Sequence, residues 1–80
     1  MNKPLSILQI GASGRVADIL PGKLAAKLVE MGLHQGCLIT VLYRAPFNGP
    51  LAIDLGASVL SLRKDEADLV MITDENDLME

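Results

Sequence analysis

Between Leu24 and Tyr43 the spacing of apolar residues changes from a helical to a strand period, and two glycines, Gly32 and Gly36, stand at the change. Projected at about 100° per residue, Leu24, Leu28 and Met31 fall on one side of a helix, with Ala25 and Val29 beside them. Lys23, Lys27 and Glu30 fall opposite. The spacing predicts an amphipathic helix of about two to three turns, opened by Pro21-Gly22. So short a helix is unstable alone in water and must lean on other elements. Gly32 is placed to end it in the left-handed conformation, with Leu33 packing back onto the last turn.

From Leu38 the side chains alternate. Ile39, Val41 and Tyr43 are expected on one face, and Leu38, Thr40, Leu42 and Arg44 on the other, wetter one. Ala45 to Pro50 reads as a loop whose Asn48-Gly49 favours a hairpin. Leu51 to Leu55 follows as a strand with Leu51, Ile53 and Leu55 inward, and Val59 to Arg63 as another with Leu60 and Leu62 inward. Lys64 to Ala67 is a polar connector of one turn. Asp68 to Thr73 is the last strand, with Val70 and Ile72 in the core. Upstream, Leu5 to Ile10 is an apolar lead-in closed by a turn at Gly11 to Gly14. Arg15 to Leu20 reads as the first strand. Val16 and Ile19 cannot share a face of a regular strand, so a bulge or an early end is expected between them.

These elements predict a mainly β fold: a small barrel of about five short strands, with one short α-helix between the first and second strands. The helix would plug one open end through Leu24, Leu28 and Met31. The 80 residues are expected to form a single domain, with the barrel over 4–73 and an acidic tail over 74–80.

Half of the residues are hydrophobic, enough for a core without metal or disulfide staples, but Tyr43 and Phe47 are the only aromatics. That scarcity argues against stacking platforms for single-stranded nucleic acid and against aromatic grooves for proline-rich peptides. A net charge of −3 removes the basic footprint of a nucleic-acid binder. One cysteine permits no internal disulfide, which suits a reducing compartment. No stretch has the roughly twenty apolar residues of a membrane span, nor does the N-terminus resemble a signal peptide. A soluble, cytoplasmic protein is expected.

Chemistry is hard to place. His34 and Cys37 make an H-x-x-C pair, but a structural zinc site wants four ligands, and the chain has no further His or Cys. The plainer reading is a turn histidine beside a half-buried thiol, and no metal or other cofactor is assigned. His34 has no evident orienting acid, and Cys37 opens a strand rather than a helix. Gly22-Lys23 is followed by Leu24 where a phosphate-binding loop has Ser or Thr. Gly11 to Gly14 has a G-x-x-G spacing without the preceding helix of an RNA-binding KH domain. An enzyme is the poorest reading, and no catalytic residue is assigned.

Taken in order, Lys27-Leu28-x-x-Met31-Gly32-Leu33-x-x-Gly36-x-x-Ile39-x-Val41, then Pro46-x-x-Gly49-Pro50-x-x-Ile53, then Gly56 before Leu60-x-Leu62-Arg63, and finally Glu66-Ala67-x-x-Val70 form a recognisable series. The sequence resembles the ferrous iron transport protein A (FeoA) family over about residues 4–73. It departs where many members have proline in place of Gln35 and arginine in place of Lys27. The resemblance implies an SH3-like barrel and an accessory role beside the membrane ferrous iron transporter FeoB, whose GTPase domain faces the cytosol. It implies no catalytic site and no direct membrane insertion. Lys23 and Lys27 on the helix, with Arg44 and Phe47 at the hairpin, are the candidate partner-binding residues. The alternative is a metal-responsive sensor or chaperone, in which His34, Cys37 and tail carboxylates gather a transition metal on weak homo-oligomerisation. Gly36, Ile39, Val41, Ile53, Leu60, Leu62 and Val70 join Leu24, Leu28, Met31 and Gly32 as expected structural residues.

Overall fold

A computed structural model describes residues 2–74, without the side chain of Asp74. Six strands form one antiparallel sheet: β1 (Asn2–Pro4), β2 (Ser13–Ile19), β3 (Leu38–Arg44), β4 (Leu51–Asp54), β5 (Val59–Leu62) and β6 (Val70–Asp74). Their order across the sheet is β1-β6-β2-β3-β4-β5. Two short helices, α1 (Ala25–Glu30) and α2 (Lys64–Ala67), join β2 to β3 and β5 to β6. A 3₁₀ turn, Leu5–Ile7, follows β1. The fold is thus mainly β, as expected, but the sheet is open, with β1 and β5 as its two edges, so the expected barrel does not close.

The additional strand is β1. Asn2-Lys3-Pro4 has no apolar period and gives no sequence signal, yet β6 pairs with it from Asn2↔Thr73 to Pro4↔Met71. The lead-in after it is the 3₁₀ turn, which buries Leu5 and Ser6. Asp74, expected to begin the acidic tail, is the last residue of β6 and pairs with Gly14. The rest of that expected tail, 75–80, lies outside the described residues.

The irregularity expected in β2 is present, as a register shift between Val16 and Asp18 against β6. The same strand starts two residues earlier than expected, so Gly14 belongs to the sheet and not to the preceding turn. A Cβ at Gly14 would lie 2.5 Å from both Ile72 Cγ2 and the Thr73 carbonyl oxygen. Gly14→Ala is therefore expected to cost about 1–3 kcal/mol, because backbone must move to admit it. A thermal melt indistinguishable from the parent's would show that β2 and β6 do not approach so closely.

The joint from α1 to β3 follows the sequence reading in detail at its C-terminal end. Leu33 N–H donates to Leu28 O at 3.1 Å and Gly32 N–H to Val29 O at 3.0 Å, the paired bonds of a Schellman stop, with Gly32 at φ +105°. Cys37 N–H then donates to His34 O across a second turn, in which Gly36 has φ +89°. Proline is favoured at the Gln35 position of such a turn. Here Gln35 instead donates its side-chain amide to Ala17 O at 2.9 Å, tying the turn to β2.

The start of α1 differs from the expectation. Helix begins at Ala25, so it has six residues, and Leu24 lies at its N-cap. Only Leu28 of the expected face is fully buried; Leu24 and Met31 are half-buried. Leu33, carried back by the Schellman turn, supplies the second fully buried side chain of this region.

The core is aliphatic throughout: Leu5, Leu8, Val16, Leu28, Leu33, Ile39, Val41, Leu51, Ile53, Leu62, Ala67, Val70 and Ile72. Leu60, expected inward with Leu62, packs against this core but stays half-buried, because no strand lies beyond β5 among the described residues. Neither aromatic residue enters it.

Candidate functional site

The hairpin of β3 and β4 gathers the surface features with least structural purpose. β3 carries a bulge: Val41 pairs with Ile53, but the next pair is Tyr43↔Ala52, so Leu42 is an extra residue on its strand. A bulge re-aims the side chains beyond it. Instead of alternating, Leu42 and Tyr43 are both exposed, 45% and 56%. Tyr43 thus leaves the core face where regular alternation places it. Arg44 now stands opposite buried Leu51, half-buried itself, and its Nη2 donates to Leu8 O at 2.7 Å.

This bond is one of two anchors holding the segment from Leu8 to Ala12 beside the distal half of β3. The other is at Val41, whose carbonyl accepts Gly11 N–H and whose N–H donates to Ala12 O. Exposed Ile10 stands in that segment. The expected interaction role of Arg44 thus competes with a structural one that positions its neighbours.

At the hairpin tip, Gly49 N–H donates to Pro46 O at 3.2 Å, enclosing Phe47 and Asn48 as central residues. Both have positive φ, 60° and 58°, the requirement of a type I′ turn. The Asn-Gly pair does support a hairpin, but the turn is centred one residue earlier than that pair implies. Phe47 therefore occupies a left-handed conformation that costs a residue with a Cβ about 1–2 kcal/mol, while its side chain is 98% exposed and packs on nothing. Both aromatics of the chain stand out from this one hairpin.

The expected basic stripe is only partly free. Lys23 is exposed in the turn before α1. Lys27 Nζ lies 2.6 Å from Glu66 Oε2, tying α1 to α2. Glu66 is buried, and its other oxygen accepts Arg63 N–H at 2.8 Å. The Lys27 hydrogen bond, then the Arg63 N–H, hold its carboxyl below the usual glutamate range against the opposing effect of burial. The Ser6 hydroxyl likewise lowers Asp68, with Lys64 assisting. Nothing in the residue pattern marks Glu66 as buried; only its place three residues after Arg63, at the start of a helix, hints at a capping role.

A carboxylate with a depressed folded pKa stabilises fully above its unfolded pKa, and that contribution fades as pH falls through the folded value. The unfolded reference for Glu66 is 4.5. The melting temperature is therefore expected to be flat in this contribution above that value and to drop below it. Glu66→Gln should melt lower than the parent at neutral pH, with the gap closing in acid. A gap of constant size from neutral to acid pH would refute the pairing.

The side chains of His34 and Cys37 flank their turn in local contacts: His34 Nδ1 is 3.2 Å from Gln35 O, and Cys37 Sγ is 3.8 Å from Leu38 O. Among the described residues, no three of His, Cys, Asp and Glu gather closely enough to hold a metal ion. No helix among them is long and apolar enough to cross a membrane.

The FeoA domain family model matches residues 3–74. Among solved structures, an iron uptake regulatory protein (FeoA) is 38% identical, with 92% of this chain and 97% of that one covered and a TM-score of 0.81. A FeoA-like protein from Clostridium acetobutylicum is 31% identical over 92% of this chain and 87% of its own, with a TM-score of 0.87. A zinc-complexed FeoA from Stenotrophomonas maltophilia, described as a prokaryotic SH3 domain protein and a candidate activating factor of ferrous iron transport, is 26% identical. It covers 91% of this chain and 89% of its own, with a TM-score of 0.75. No curated protein sequence matches.

The chain belongs to the FeoA family, and its open sheet is SH3-like. FeoA domains are small accessory domains associated with ferrous iron transport, not a known enzyme family.

Proposed function

We propose that this chain is a non-enzymatic, cytoplasmic accessory protein of ferrous iron uptake, acting as one domain that binds the cytosolic part of a FeoB-type membrane transporter. The carrying observation is the β3–β4 hairpin, which exposes both aromatics, one of them in a strained conformation that no internal contact compensates. Exposed aromatics recur among the few residues that dominate binding energy at protein interfaces. Strain without an internal contact to balance it is a feature of sites whose purpose lies in binding. Leu42 and Ile10 widen the apolar surface beside the hairpin. Lys23, on the far side of the chain in sequence, is a second and separate contact candidate. Lys27 contributes less, since Glu66 already neutralises it.

The test is equilibrium binding of the purified chain to the cytosolic GTPase part of the transporter, without nucleotide and with GDP or a non-hydrolysable GTP analogue. Saturable binding in at least one state is expected, weakened by Tyr43→Ser. Absence of binding in all three states sinks the proposal.

A further inference from the structure

The two edges of the open sheet are built differently. β1 is three residues long and carries Lys3 and Pro4, both devices that discourage another strand from pairing. β5, Val59-Leu60-Ser61-Leu62, has neither a charge nor a proline, and Val59 is exposed. An unprotected apolar edge is a ready template for strand addition.

The register identifies which groups face outward. Leu55 N–H donates to Ser58 O at 2.8 Å, so these two form a hydrogen-bonded pair of the antiparallel β4–β5 hairpin. Such pairs alternate with non-bonded ones. Continuing the register, Ile53↔Leu60 and Leu51↔Leu62 are bonded pairs, while Asp54↔Val59 and Ala52↔Ser61 are not. The N–H and C=O of Val59 and Ser61 therefore point off the sheet, and among the described residues they have no partner. The next group in phase, Arg63 N–H, is already taken by Glu66 Oε1.

We propose that the outer edge of β5 is a docking site for an extended segment of a partner protein, added to the sheet as a further strand through the backbone groups of Val59 and Ser61. The segment has apolar residues at alternate positions, because its inward side chains continue the core over half-buried Leu60. It contains no proline where it meets those groups. Past Leu62, a depression of about 360 Å³ lies between the β3–β4 loop (Asn48, Gly49, Pro50) and α2 with its two caps (Arg63, Lys64, Asp65, Asp68). A second copy of this chain is the poorer occupant. A stable dimer buries about 800 Å² per partner, about a sixth of the 4909 Å² surface, and four edge residues provide far less.

The site is tested on the ¹⁵N-labelled protein with a synthetic acetylated, amidated peptide of alternating valine and threonine with terminal lysines, alongside the same peptide with a central proline. The alternating peptide is expected to shift the amide resonances of Val59 and Ser61 most and to slow their hydrogen exchange, with the proline peptide inert. Ser61→Pro removes an outward donor without touching the β4 ladder and should weaken binding at least about tenfold. The peptide comparison uses unaltered protein, so it decides even if that variant folds poorly. Equal shifts with both peptides, no shift at millimolar peptide, or protection at β1 instead overturns the proposal. So do β5 resonances that move with protein concentration alone, which would assign the edge to a second copy.

Discussion

Leu28→Asp is expected to abolish cooperative thermal unfolding, leaving a far-ultraviolet spectrum with little strand signal. Leu28 is the one fully buried side chain of α1. Removing a buried leucine side chain costs about 2–5 kcal/mol, and a carboxylate left there without a partner adds several more. At about 0.05–0.15 kcal/mol per residue, a chain of 80 residues has about 4–12 kcal/mol to lose. Met31→Asp, on the same face by spacing, should lose only about 1–3 kcal/mol, because half-buried Met31 leaves a carboxylate a route to water. Gly32→Val should also destabilise. A Cβ there meets only Leu55 Cδ1 at 3.6 Å, so the penalty comes from the φ of +105° and not from lack of space. Val29→Asp, on the exposed face, serves as the control and should melt near the parent. A Leu28→Asp protein that melts like Val29→Asp would show that α1 does not dock on the sheet.

Phe47→Gly is expected to move stability and binding in opposite directions. Glycine adopts the left-handed turn without the steric cost and gives up no packing, since the phenylalanine side chain is 98% exposed. After its greater loss of chain entropy, the net gain is up to about 1 kcal/mol, a rise of about 4–8 °C in melting temperature. Removing an interface anchor of this type costs about 2 kcal/mol or more of binding, roughly a thirtyfold loss of affinity for the transporter's cytosolic part. Asn48→Gly should give the stability gain without the binding loss. A Phe47→Gly protein that is more stable and binds as the parent does would remove Phe47 from the interface.

The helix stop was legible because its chemistry is local. Only glycine takes a φ near +105° freely, and the bonds it completes connect residues no more than five apart. The same holds for the strand alternation that marked Ile39, Val41, Ile53, Leu62 and Val70, all fully buried. Tyr43 and Arg44 were placed on the wrong faces because one extra residue, Leu42, reverses the alternation after Val41. Nothing in Leu42-Tyr43-Arg44 announces that insertion; it depends on how β4 pairs across the hairpin.

Glu66 read only as part of a polar connector for a similar reason. Its partner Lys27 is 39 residues away, and only the approach of α2 to α1 brings the charges together. The hairpin was a candidate partner surface in the sequence only through Phe47 and Arg44 as residue types. The bulge that turns Tyr43 outward, and the anchoring of Arg44 on Leu8, appear only in three dimensions.

By itself, the sequence determined the period of each main element, the Schellman joint at Gly32, the aliphatic character of the core and membership of an ordered family pattern. Each of these depends on residue type and short-range geometry. The tertiary structure alone decided that the sheet stays open and that β1 is a blunted edge while β5 is a bare one. It also decided which aromatic face points to solvent. Those properties depend on strand order and register, which are set by contacts between residues far apart in the chain and leave no periodic trace along it.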